Sequence, residues 1–254
     1  MAASSVVAPA EAGIYSQPTG IFTDEEFLEA AKQVQNPALD DSWELFVECM
    51  GVKIYRKYKE ESGLYEYKTH GIMADLDPEI CAMVYLDWQY RKKWDTYVLD
   101  LKPIKDEASG LDGLYWAVDY PWPMSDRDYT FIREGRMMMV DGQQTWVVIC
   151  RSRKFSNCPE KDGIIRVDDF NQCCAMQSDG ATGSKAFMHY YDNPKGMIPA
   201  MLINWAAKTG VPTFLDLMRT AVKGYKDYLK KEGKENYIEE ARKAWSQHLK
   251  QSEQ

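Results

Sequence analysis

The sequence predicts an α+β fold, and three observations predict it. A capped amphipathic helix stands near the start, a long run of short strand-like segments fills the middle, and the strongest helical periodicity comes near the end. At 254 residues the chain fits one large antiparallel-sheet domain. With 45% hydrophobic and 13% aromatic residues it is neither disordered nor collagen-like.

Taken in order, residues 1–21 are rich in Ala, Ser, Pro and Gly without periodicity and read as a mobile N-terminal arm. Thr23-Asp24-Glu25-Glu26 is a capping box, with Phe22 and Phe27 spaced as a hydrophobic staple. Phe27, Ala30, Ala31 and Val34 then share one helical face. Strand chemistry follows at Trp43–Glu48, Val52–Tyr58 and Leu64–Met73, punctuated by Gly51 and by Glu61-Ser62-Gly63. Asp77-Pro78 supplies an N-cap and a first-turn proline for a short helix ending at Leu86.

Six further strands are expected at Leu114–Tyr120, Asp128–Met138, Thr145–Arg153, Ile164–Phe170, Cys173–Gln177 and Lys185–Tyr191. Leu114, Trp116, Val118 and Tyr120 alternate onto one face, as do Tyr129, Phe131 and Arg133, which predicts a curved sheet with an aromatic-lined concavity. After Pro199 the pattern turns helical. A helix is expected to start at Pro212, with Phe214, Leu217, Met218, Ala221, Tyr225, Tyr228 and Leu229 on its buried face, and to end at Gly233. Asn236-Tyr237-Ile238-Glu239 then offers a second capping box ahead of a stripe formed by Ile238, Ala241, Trp245 and Leu249. The expected organisation is an arm over 1–21, a domain over 22–232 and an extra amphipathic helix over 233–254.

A net charge of -8 and a pI near 5.1 argue against nucleic acid as a partner. The one cationic stretch is 219–254, with nine Lys and Arg against six Asp and Glu. No run of 18 apolar residues exists, and the first 31 residues hold no Lys or Arg, so neither a membrane span nor a cationic targeting segment is expected and the chain reads as cytoplasmic. The six cysteines form no CxxC pair, which predicts free thiols and no metal site. There is no HExxH, GxSxG, P-loop or GxGxxG signature, so no catalytic set and no cofactor are expected.

One stretch is unusual: Tyr85-Leu86-Asp87-Trp88-Gln89-Tyr90-Arg91-Lys92-Lys93-Trp94-Asp95 interleaves four aromatic rings with three cations and two carboxylates. Three motifs, YRKxWD at Tyr90–Asp95, YPxPMSxRDY at Tyr120–Tyr129 and IPxxLINWAAKxGVP at Ile198–Pro212, occur in that order. Together they resemble the START lipid-transfer family, in its phosphatidylcholine-carrying branch, from about Thr23 to Lys231. The resemblance implies a helix-grip fold, a long curved antiparallel sheet wrapped around a C-terminal helix and enclosing one lipid in a tunnel.

It further implies a role for particular residues. Arg91 matches the family's phosphate-binding arginine and Tyr85 its phosphate-contacting tyrosine. A buried guanidinium suits that task because its planar fork donates two charge-assisted hydrogen bonds. On the residues alone, an internal ion pair to Asp87 or Asp95 is the other reading of Arg91. Trp116, Tyr129 and Phe170 match a choline cage, since a quaternary ammonium has no N–H to donate and is held by ring faces. Phe170 stands where the family usually has Tyr, and without the family the three rings read as core aromatics. Gln172 matches a residue that binds the glycerol-ester region.

The implied protein is a non-enzymatic monomer that carries phosphatidylcholine and touches membranes transiently. Its gate would be the helix bearing Lys223, Lys226, Lys230 and Lys231, each cation adding about 1 kcal/mol at an anionic surface. A phospholipid sensor that engages a protein partner through the C-terminal helix is the alternative, as is broader transfer of phosphatidylcholine and phosphatidylethanolamine.

Overall fold

The computed structural model describes residues 20–107, 109–196 and 198–251. Most of the arm predicted over 1–21 lies outside the described residues, but Ile21 packs against buried side chains. Helix α1 (Asp24–Gln33) opens with the predicted capping box: the Thr23 backbone N–H donates to Glu26 Oε2 at 2.8 Å and the Glu26 N–H to Thr23 Oγ1 at 3.2 Å. Phe22 and Phe27 meet edge to face, 6.4 Å between centroids.

Strands β1 (Glu44–Cys49), β2 (Val52–Lys59) and β3 (Leu64–Met73) form a meander, followed by α2 (Pro78–Leu86), α3 (Trp88–Trp94), β4 (Val98–Ile104), β5 (Gly113–Val118), β6 (Arg127–Val140), β7 (Gln143–Ser152), β8 (Ile165–Val167), β9 (Phe170–Ser178) and β10 (Ser184–Asp192). They make one sheet in the order β1-β2-β3-β10-β9-β7-β6-β5-β4, antiparallel throughout, with the short β8 pairing in parallel to β6. The chain closes with α4 (Ala200–Trp205), a π-helical turn at Ala206–Gly210, α5 (Val211–Lys231) and α6 (Tyr237–Gln251).

The two faces of the sheet carry separate cores. The α1 residues Phe27, Ala30, Ala31 and Val34 pack on the outer face against Ile132, Val147, Ile149 and Ala175. Against the inner face lie α2, α5 and α6, whose Met83, Tyr225 and Trp245 join Phe131, Trp146, Val148 and Phe170. Alternating strand residues supply both cores, as a period of two requires.

Two expectations need correction. The sequence does not predict strand β4: its Pro103 argues against a strand interior, but β4 is the sheet's edge, where a missing N–H costs no ladder bond. Ile164–Phe170 is not one strand, because the chain breaks after Val167 and Phe170 opens β9. The helix expected to end at Leu86 does so, which leaves Tyr85 and Arg91 on separate helices. Asp87 ends α2 and caps α3, its Oδ1 accepting the Tyr90 N–H at 2.8 Å. As expected, Pro212 stands in the first turn of α5. The chain passes from α4 to α5 through the wider π turn, closed by the Val211 N–H on Ala206 O, which accommodates a residue that has no N–H and clashes with the preceding turn.

Gly233, at φ 67°, terminates α5 in a left-handed conformation, and the Lys234 N–H reaches back to Leu229 O at 2.8 Å. This reversal returns α6 to the inner face. Tyr237, Ala241 and Trp245 are buried there, Ile238 packs beside them, and Arg242 clamps Glu79 of α2 with two hydrogen bonds of 2.9 and 2.7 Å. The stripe therefore packs on the body of the domain, as far as its described side chains reach. The side chain of Leu249 lies outside the described residues.

Candidate lipid-binding site

Strand register sets the inner face. Trp116 of β5 pairs with Tyr129 of β6, Cys150 of β7 with Gln172 of β9, Gln172 with Tyr190 of β10, and Phe170 with Asp192. Directly paired residues share a face, so Trp116, Tyr129, Phe170, Gln172, Tyr190 and Asp192 all project toward α2 and α3. Trp116 and Tyr129 lie 5.0 Å apart, Tyr129 and Phe170 5.5 Å, and Phe170 and Tyr190 5.7 Å between ring centroids. The three rings expected to form a cage are thus contiguous, and Tyr190 extends the row.

Arg91 reaches the same region from α3. Its guanidinium carbon is 5.0 Å from the Trp116 ring centroid, 5.8 Å from Tyr85, 5.9 Å from Trp94 and 5.8 Å from Phe214. One nitrogen, Nε, donates to Asp95 Oδ2 at 2.9 Å, so the internal ion pair exists. Asp95 leaves the other two guanidinium nitrogens without a hydrogen bond among the described residues. Beside them, the indole N–H groups of Trp94 and Trp116 are buried without an acceptor. A cation and two orphaned donors around one point call for an acceptor-rich anionic group, because buried donors without partners are costly. Phosphate has that chemistry.

Tyr85 and Gln172 touch each other: the Tyr85 hydroxyl donates to Gln172 Oε1, and Gln172 Nε2 approaches Met188 Sδ at 3.1 Å. Burial pushes the Tyr85 hydroxyl well above its ordinary pKa, which keeps it a donor. The four lysines assigned to a gate, Lys223, Lys226, Lys230 and Lys231, lie on α5, whose opposite side carries the buried Met218, Ala221, Val222, Tyr225 and Leu229. All four lysines are exposed.

Several residues of this region have partners that the sequence pattern does not mark. Arg133 donates to the α2 carbonyls of Leu86 at 2.6 Å and Tyr85 at 3.4 Å, and burial lowers its pKa. Asp192 accepts the hydroxyls of both Tyr129 and Tyr190, at 2.7 and 2.9 Å, on one oxygen. Burial raises its pKa, opposed by those two hydrogen bonds and by the field of Arg127. Alternation along β10 finds Tyr190 and Asp192 once that strand is extended by one residue.

At the end of the sheet beyond the cage, Trp122 is 89% exposed and Met201 of α4 65%. Arg127 ties the two loops there, donating to Ser125 O of one and to Pro194 O and Lys195 O of the other. A second concavity, of about 680 Å³, lies outside, between α1 and the sheet. Its charged groups are satisfied locally: Arg151 by Glu26, His189 by Glu66 at 2.9 Å and Lys68 by Ala38 O at 2.6 Å. Among the described residues no cluster of His, Cys, Asp and Glu is placed to hold a metal, the six cysteines are free, and no helix is long and apolar enough to cross a membrane.

Residues 25–227 match the START domain. The phosphatidylcholine transfer protein of Bos taurus is 47% identical over 208 residues, covering 82% of this chain and 97% of that protein, and that of Homo sapiens is 46% identical over 207 residues, covering 81% and 96%. The crystal structure of human STARD10 superposes with a TM-score of 0.68 at 21% identity, covering 83% of this chain and 84% of that one, which shows the shared fold. With a START match across most of its length and an α+β helix-grip architecture, the chain belongs to the START domain family.

Proposed function

We propose that this protein is a non-enzymatic carrier that holds one phosphatidylcholine on the inner face of its sheet and moves it between membranes within the cytoplasm. The observation that carries this reading is the juxtaposition of a cation with orphaned donors at Arg91, Trp94 and Trp116, directly beside the ring row Trp116, Tyr129 and Phe170. One end recognises an anionic phosphate, the other a cation that cannot donate hydrogen bonds, and phosphocholine has both. Tyr85 would add its hydroxyl to the phosphate, and Gln172, hydrogen-bonded to it, would meet the glycerol esters. The curated relatives named as phosphatidylcholine transfer proteins support the same headgroup. The exposed Trp122 and Met201 mark the end at which the protein meets the bilayer, with the exposed α5 lysines as electrostatic support.

Transfer of labelled phosphatidylcholine between donor and acceptor liposomes, without nucleotide or metal, is the test. Transfer should exceed the spontaneous rate, and Trp122→Ser should slow it while the purified protein retains bound lipid. A rate no higher than buffer removes the proposal, and an unchanged rate in the Trp122 variant removes the assignment of that end.

Headgroup selection should follow the rings. Each desolvated cation–π contact contributes about 0.5 to 2 kcal/mol. Trp116→Ala is therefore expected to lower the preference for phosphatidylcholine over phosphatidylethanolamine by about 2- to 30-fold, and Phe170→Tyr, by enriching a ring face, to raise it. Competition between the two lipids measures both, and unchanged preference in both variants leaves the rings as packing alone.

A further inference from the structure

We propose that Asp192 is the counter-charge of the ring row, so that a cationic headgroup is selected by a partly buried carboxylate as well as by aromatic faces. The inference rests on the headgroup reading above and adds a residue to it.

Asp192 ends β10 directly opposite Phe170, on the inner face. Its one oxygen accepts from Tyr129, itself a member of the ring row, and from Tyr190, whose ring lies against Phe170. Among the described residues no cation lies within ion-pair distance of it, and its second oxygen accepts no hydrogen bond. The nearest contributor of positive field, Arg127, directs its guanidinium to three backbone carbonyls. By contrast, the buried Asp128 has a full partner in Arg166, which contacts it at two points, 2.6 and 3.1 Å. A carboxylate withdrawn from water without a cation is unfavourable, and two phenol hydroxyls offset only part of that cost. A cationic ligand brought against the rings supplies the missing charge.

Two physical effects then act together. The carboxylate attracts the ammonium through a medium of low polarity, where the Coulomb term is several times larger than in water. By accepting the Tyr129 and Tyr190 hydroxyls it also draws their protons outward, which makes both phenol rings richer in electrons on the faces that meet the cation. A quaternary ammonium has no N–H with which to displace the two hydroxyls, so the hydrogen bonds survive binding.

The experiment compares Asp192→Asn with the unaltered chain in uptake from vesicles of phosphatidylcholine and of phosphatidylglycerol with identical acyl chains. These lipids share the phosphate and differ in the cation. Asparagine keeps an acceptor for both hydroxyls and removes the charge. The ratio of phosphatidylcholine to phosphatidylglycerol uptake should fall at least tenfold, a readout that a general loss of stability leaves in place. A ratio within about twofold of the original overturns the assignment and makes Asp192 a structural acceptor. Asp192→Ser, also neutral and also an acceptor, decides between the two outcomes if the asparagine variant does not fold. Should the unaltered chain show no preference for phosphatidylcholine, the headgroup reading itself fails, a result distinct from an unchanged ratio in the variants.

Discussion

Arg91→Ala should empty the lipid site while leaving the protein folded. The side chain is 13% exposed, its nearest contacts are rings, and its one ion pair, to Asp95, closes a single helical turn within α3. Removing one partner of a buried charge interaction costs about 3 to 5 kcal/mol, which is more than a hundredfold in affinity. Asp95 would not be stranded, because its Oδ1 still accepts the Tyr97 N–H at 3.1 Å. Arg91→Lys is expected to bind weakly as well, since a single ammonium cannot replace a planar fork that donates to Asp95 and to phosphate at once. Native mass spectrometry reads the outcome directly as protein with or without lipid. If the alanine variant melts normally and still carries its full complement of lipid, Arg91 serves the fold alone and the phosphate reading is wrong.

Trp245→Ala carries the second large effect, on stability. Trp245 is 4% exposed, in one cluster with Tyr237, Ala241, Trp146 and Met137. Truncating a buried tryptophan to alanine costs about 3 to 5 kcal/mol, and in a domain of this size each kcal/mol moves the melting temperature by roughly 2 to 4 °C. A drop of about 6 to 20 °C is expected in thermal denaturation, whereas Lys243→Ala, on the exposed side of α6, should leave melting unchanged. Equal melting of the Trp245 variant and the parent chain would show that α6 does not belong to the cooperative core. Helix α6 lies beyond the family match, which covers residues 25–227.

Much of the fold is readable from local chemistry. The capping box at Thr23, the Asp77 cap with Pro78 and the left-handed Gly233 are each set by contacts within a few residues, and each appears where the pattern puts it. The alternation that places Trp116 and Tyr129 on one face needs only the period of a strand. The departures have equally local causes. The sequence places the end of α2 at Leu86 but does not mark the start of α3 at Asp87, where a buried side chain caps α3 and also accepts the Tyr225 hydroxyl at 3.0 Å from 138 residues away. Pro103 hides β4 because the sequence cannot say which strand will be an edge. The pattern gives Phe170 to the wrong strand because Asp168-Asp169 resembles a strand interior as well as a turn.

Element type, capping and the face of each aromatic residue follow from interactions between near neighbours, and those the chain specifies wherever it is read. Partnership does not. Tyr85 meets Gln172 across 87 residues, and Tyr129 meets Asp192 across 63. Such pairs depend on strand order, on register, and on how α2 and α3 lie over the sheet. Burial adds the rest: a carboxylate, a guanidinium or an indole N–H gains its meaning once water is excluded and its partners can be counted, and that count exists only after distant strands have come together.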